Sequence, residues 1–296
     1  MRYMKGAFQD IKKRPVLLIF IMIIGAVICF AEQFNSLTQE FGSLNKLFST
    51  DYVTLISEVA GFIQSKATDP GLMTVSVVIA IVAAIALAAV CGVLFSGFAY
   101  TNYITVLDRV HGNIRQGKKT SQIFVEGINK RFGKMTAFFI FFILGAVAVA
   151  GLSAFSVMPS ALAVKNVIAG DTGAIFSMIL MLAVTVIILF FAIVFFAMYV
   201  SFLMPSIIAF KKGSVKVALR MVNGYCWYLI PRTVGFLAYM IVVSFVMLAF
   251  NFGGASTVGA LTVFLANWLL KSIGLFVYTQ YVFSTYIAMK DDMFEE

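Results

Sequence analysis

Histidine is almost missing from this chain, cysteine is scarce, and charge of either sign is thin. A single histidine, His111, beside Asp108 and Arg109, leaves no imidazole cluster for a metal and no Ser–His pair inside a membrane. Cys29, Cys91 and Cys226 are the three cysteines, each in or beside a separate apolar stretch without C-x-x-C spacing, which suggests neither a disulfide framework nor a zinc site. Lys and Arg number 22 and Asp and Glu 13, bunched into a few places, too little to cover a water-soluble domain of 296 residues. No acid falls inside the long apolar stretches, and there is no HExxH. A two-aspartate intramembrane protease, a phosphotransferase built on acidic metal ligands and a carboxylate-coupled carrier therefore lack their groups. The acidic tail DDMFEE (291–296) reads as solvated. These gaps describe a chain that is not an enzyme and uses no metal or other cofactor.

What is present is apolar. Hydrophobic residues make up 61% of the chain, with 31 Phe, 15 Met and a mean hydropathy of +0.99, so part of its solvent must be lipid. Six apolar segments run over 16–31, 72–107, 135–157, 174–204, about 228–252 and 258–288. The first is short for a span of about 20 residues and can extend by snorkelling; several others exceed the bilayer core and should tilt or project. The first also has the basic start of a signal peptide, but no A-x-A site follows residue 31, so it reads as a retained helix.

The net charge of +9 has a topological cause. Segments 1–15, 101–135 and 206–232 hold five, seven and five Lys or Arg, against only Lys46, Lys66 and Lys165 in the segments between. With alternating spans, that asymmetry places both termini in the cytoplasm of a multi-pass plasma-membrane protein. Anionic lipid headgroups are natural partners for such stretches, and nucleic acid is not, because a duplex needs a basic surface free of the bilayer.

Three segments before the odd-numbered spans look alike: AFQDIKKRPVLLIF (7–20), IFVEGINKRFGKMTAFF (123–139) and ALRMVNGYCWYLI (218–230). Phe8 and Ile11, Val125 and Ile128, and Leu219 and Val222 are each three apart, the spacing of one helical stripe. Each predicts a short amphipathic helix lying in the interface before the chain enters the membrane. The expected fold is therefore an all-α integral membrane protein, one transmembrane domain over 1–296, with six transmembrane helices as three parallel-repeat hairpins (about 1–107, 108–204 and 205–296). Parallel repeats of this kind do not by themselves create alternating-access symmetry. In the second span Ser76, Ala80, Ala84, Ala88, Gly92 and Ser96 recur every fourth residue and offer a smooth face for close helix packing. The fourth span, bulky all round, reads as lipid-exposed. Residues 32–71 form the largest outer loop, which suits either a lid over the helices or a partner-binding surface; the loop at 158–173 contains Pro159, and GGAST (253–257) is a tight turn.

The candidate site is Lys271, inside the sixth segment and about 20 Å along it at 1.5 Å per residue. Asn267, four residues earlier, shares its helical face, and Gln280 lies near that face. A charge there must point into the protein, meet carbonyls or water, snorkel, or lose its proton. It reads either as a structural lysine or, with Asn267 and Gln280, as a contact for an anionic substrate or lipid headgroup.

The stretch FFAMYVSFLMPSIIAFKKGSVKVALRMVNGYCWYLI (195–230) resembles a broad group of prokaryotic multi-pass proteins represented by the membrane domain of glycerophosphoryl diester phosphodiesterases. Pro205 near the end of a span, the polar turn, Ala218–Leu219–Arg220 and the aromatic entry at Tyr225 and Trp227 carry the likeness; KKGS (211–214) departs from it where an acid often stands. No phosphodiesterase domain is attached, so no hydrolysis is carried over. The resemblance implies membrane association, with accessory roles beside an exporter or another envelope protein by analogy. The reading is a noncatalytic scaffold, accessory subunit or lipid-interacting protein; the alternative is a transporter or permease-like protein for a lipid or small anionic solute.

Overall fold

A backbone shut away from water must satisfy its own N–H and C=O groups, and a run of Ile, Leu, Val, Ala and Phe can do so alone only as a helix. The computed structural model describes residues 10, 14–40, 70–112, 119–168, 173, 175–210, 213–251 and 257–294, and it is all-α among them. The helices are α1 Val16–Glu40, α2 Pro70–Val110, α3 Thr120–Ile168, α4 Ile175–Ala209, α5 Ser214–Gly224, α6 Cys226–Asn251 and α7 Thr257–Phe294. Five carry stretches long and apolar enough to cross a membrane: Ile85–Val110, Thr120–Val157, Ile175–Ala209, Cys226–Met247 and Leu261–Asp292. The apolar part of α1, Val16–Phe30, is shorter. The chain is a multi-pass membrane protein.

Several helices outrun the apolar segments that predict them. α1 continues through polar residues to Glu40, so 32–40 is helix and not loop; the remainder of the expected outer loop, 41–69, falls outside the described residues. The second lead-in is no separate interfacial helix, because α3 runs unbroken for 49 residues from Thr120, roughly 70 Å against a hydrocarbon core of about 30 Å. Nothing within 120–134 stops a helix. The third lead-in is set off as the 11-residue α5, since Gly213 adopts φ 73° before it and Tyr225 closes it. Phe8 and Ile11 of the first lead-in, and 253–256 of the expected tight turn, also fall outside the described residues.

The segment from 158 differs too: α3 passes straight through Pro159 to Ile168. Pro159 removes the intrahelical hydrogen bond to the Phe155 carbonyl, and α4 braces the same turn one residue further on. The Thr185 hydroxyl on α4 donates to the Ser156 carbonyl at 2.8 Å and lies 2.7 Å from Ser160 Oγ, all buried.

The chain divides into two units interleaved in sequence. The first comprises 1–90, 104–121 and 236–281. In it α1 turns inward the stripe Leu17, Ile21, Gly25, Cys29, one residue per turn, while Ile19, Ile23 and Val27 stay exposed. Gly25 lies against Ser272 of α7, and Trp268 Nε1 donates to the Met22 carbonyl at 2.7 Å. α6 meets α7 where Phe236 stacks on Tyr278 at 4.0 Å and Tyr239 donates to the Leu270 carbonyl.

The second unit comprises 91–103, 122–235 and 282–296. Glycines bring α2 and α3 close: Gly92 lies on Thr136, Gly97 on the Phe124 ring and Gly127 on Tyr100. Phe95, Phe138, Phe139, Phe142 and Phe196 form a ring cluster beside them. Exposed apolar side chains cover α4 from Ile175 to Ile193 and one face of α3 through Phe141, Leu144 and Val147. Those faces have the chemistry of a lipid boundary.

Candidate functional site

Lys271 is fully buried in the first unit. Its ammonium donates to Glu32 near the middle of α1 and to Ser244 Oγ on α6 at 2.7 Å. One cation thus joins three helices. Its carboxylate partner is 40% exposed while Lys271 is at 0%, so the pair is open on the acid's side only. Ser244 passes the contact to the backbone by donating to the Met240 carbonyl at 3.0 Å.

The other two predicted site residues are placed differently. Asn267 is 1% exposed on the same face as Lys271, and its Oδ1 has no hydrogen-bond partner among the described residues. Gln280 is equally buried on α7 but is not a partner of Lys271, whose polar contacts are Glu32 and Ser244. No acid lies inside the six apolar segments, and the carboxylate that meets Lys271 comes from just outside the first of them. Glu32 stands one residue beyond the apolar run that ends at Ala31, and because α1 keeps its pitch past that point, the acid arrives about one turn after Cys29 near the buried stripe. The usable signal was the stripe 17, 21, 25, 29, whose next neighbours on that helical face, three and four residues on, are Glu32 and Gln33.

The energetics favour a closed arrangement. Bringing an ammonium out of water costs several kcal/mol, so the pair gains little net stability, but deleting Glu32 strands the buried ammonium at about 3–5 kcal/mol. A buried, compensated lysine of this kind joins helices; it does not present free charge.

A second ionic group in the same unit involves the approach to α1. Arg109 donates to the buried Asp10 at 2.6 Å, while Arg14 reaches Thr105 Oγ1 at 3.0 Å and Asp108 at 3.5 Å. Burial presses the Arg14 guanidinium below its ordinary range, and Asp108 and then Asp10 push it back up. The acid beside His111 is thus engaged by Arg14, and His111 itself is exposed. Among the described residues no three His, Cys, Asp or Glu side chains converge as a metal would require.

For the small-residue stripe of α2, Ala88 and Ser96 are fully buried, Ser96 donating to the Val93 carbonyl at 2.9 Å, and Gly92 faces Thr136. The side chains of Ser76, Ala80 and Ala84 fall outside the described residues. In the lead-in stripes Val222 is buried, whereas Leu219 and Val125 point outward; Met221 and Ala218, and Ile123 on α3, take the inner positions. No family model matches the chain, and no curated protein or solved structure matches it either.

Proposed function

We propose that this protein is a noncatalytic component of the cell envelope, a membrane scaffold, accessory subunit or lipid-interacting module. The observation that carries this reading is the internal use of Lys271, whose charge is spent on Glu32 and Ser244. A group that binds a passing anion must be available to it; here the carboxylate is supplied by the chain. In this reading α1, extended past Phe30, serves as the sixth span, the spans pair as three hairpins, and the basic segments keep both termini in the cytoplasm. The layout likeness of 195–230 to the phosphodiesterase membrane domain belongs to the same proposal.

The test is extraction of the full chain from its native membrane in a mild detergent or polymer disc after cross-linking. A second envelope protein should be recovered in fixed ratio, and a clean monomer overturns the scaffold reading. The transporter reading keeps one supporting observation, the partial exposure of Glu32 beside a hidden cation, through which a lipid or solute anion could replace the acid. It requires flux in proteoliposomes that Lys271→Ala abolishes.

A further inference from the structure

Between Asp171 and Asp291 the chain contains no acidic residue, and α5 lies inside that stretch with two cations. Lys216 and Arg220, one turn apart and exposed, have no ion-pair or hydrogen-bond partner among the described residues. Arg131 and Lys134, also in this unit, behave otherwise: each donates to the Phe210 carbonyl at 3.3 Å. Beside the two cations, Val215 and Leu219 form a second exposed row. At 100° per residue the apolar row leads into the cationic row around the helix, the order in which a leaflet presents acyl chains and then headgroups.

The helix is held as a platform. Ala218, Met221 and Val222 are buried beneath it, Ser206 Oγ donates to the Ser214 carbonyl at 2.7 Å, and Tyr199 OH donates to Asn223 Oδ1 at 2.6 Å. Just past it Trp227 is 88% exposed, and the Arg232 guanidinium stacks 3.5 Å over the Tyr228 ring. An indole left outside the protein and a cation braced on a phenol ring are the anchors that chains place at headgroup depth.

We propose that the outward face of α5, together with Trp227 and Arg232, is a docking surface for an anionic phospholipid leaflet. The acid-free stretch supplies charge complementarity, and the aliphatic row with Trp227 fits lipid where an acidic protein surface would meet it with nothing. The inference deepens the lipid-interacting part of the function proposed above. The cross-linking test there reads a protein partner and the test here reads lipid, so either can fail while the other stands.

The full chain is placed in nanodiscs of phosphatidylcholine with or without phosphatidylglycerol, the bromine carried on one lipid at a time. The signal of Trp227 is the difference between the wild type and Trp227→Phe, since the chain has two tryptophans. Brominated phosphatidylglycerol should quench Trp227 well beyond its share of the lipid. Each of Lys216→Gln, Arg220→Gln and Arg232→Gln should lower that preference roughly five-fold, from about 1 kcal/mol per cation near an anionic surface. Lys216→Arg should retain it, and circular dichroism with gel filtration checks that each variant folds. Equal quenching by the two lipids, or a preference unmoved by the three Gln substitutions, overturns the proposal. So does loss of a co-extracted acidic protein in those variants without change in quenching, which assigns the face to that protein.

Discussion

At the residue scale, the consequences of Lys271 are sharpest when its partners are removed one at a time. Glu32→Gln leaves a buried ammonium with Ser244 alone, and we expect a loss of about 3–5 kcal/mol, read as unfolding free energy in detergent. Lys271→Met should cost less because it leaves only a half-exposed carboxylate, and combining the two should recover much of the Glu32→Gln loss. Additive costs would show that the two groups are uncoupled. Gly127 offers a cleaner packing test. A Cβ there would sit 2.6 Å from Tyr100 Cβ and 2.8 Å from the Ser96 carbonyl, so Gly127→Ala should destabilise by about 1–3 kcal/mol. Gly133, on the same helix, has nothing within 4 Å of that position, and Gly133→Ala should be neutral or stabilising by up to about 1 kcal/mol. That the Lys271 charge had to be turned inward, solvated, snorkelled, paired or neutralised was legible in the sequence. Which partner was not, because 239 positions separate it from Glu32 and no local spacing connects them.

At the scale of elements, hydropathy located where helices meet lipid but not where they end. Thr120–Lys134 and Met158–Ile168 are too polar to read as span, yet each continues α3, because a helix already nucleated by its apolar portion adds residues at little further cost. Pro159 marks a boundary in the sequence, yet α3 continues through it, with a hydroxyl of α4 bound at the Ser156 carbonyl, one residue beyond the carbonyl that the proline frees. Thr185→Val removes that donor at nearly constant volume. We expect a loss of about 0.6–1.7 kcal/mol and faster amide exchange around Ser156, while Thr185→Ser preserves both. Unchanged exchange would separate Thr185 from the continuity of α3. Among the described residues α5 is the lead-in that forms a discrete helix, and Gly213, whose backbone is left-handed, sets it off where 120–134 has no such residue.

For the whole molecule, the apolar segments lead to an expectation of six spans, and among the described residues there are five membrane-length helices and one shorter apolar helix, because runs of uncharged residues leave no other way to satisfy the backbone. Orientation is a separate matter that rests on the count of basic residues. Lys119 stands exposed at the start of α3 and lends itself to a labelling test. In a background lacking Cys29, Cys91 and Cys226, Lys119→Cys in intact cells should resist a membrane-impermeant maleimide and react once the membrane is opened. Labelling of intact cells would reverse the orientation proposed here.

The bond between α1 and α7 also sets a problem in time. Ribosomes add about 5–20 residues per second, so Glu32 is made about 10–50 s before Lys271 leaves the tunnel. Throughout that interval the nascent first helix holds an acid whose counter-ion does not yet exist. Chains stalled short of Lys271 should therefore be the ones that membrane quality-control proteases find, and Glu32→Gln should spare them even as it weakens the finished protein.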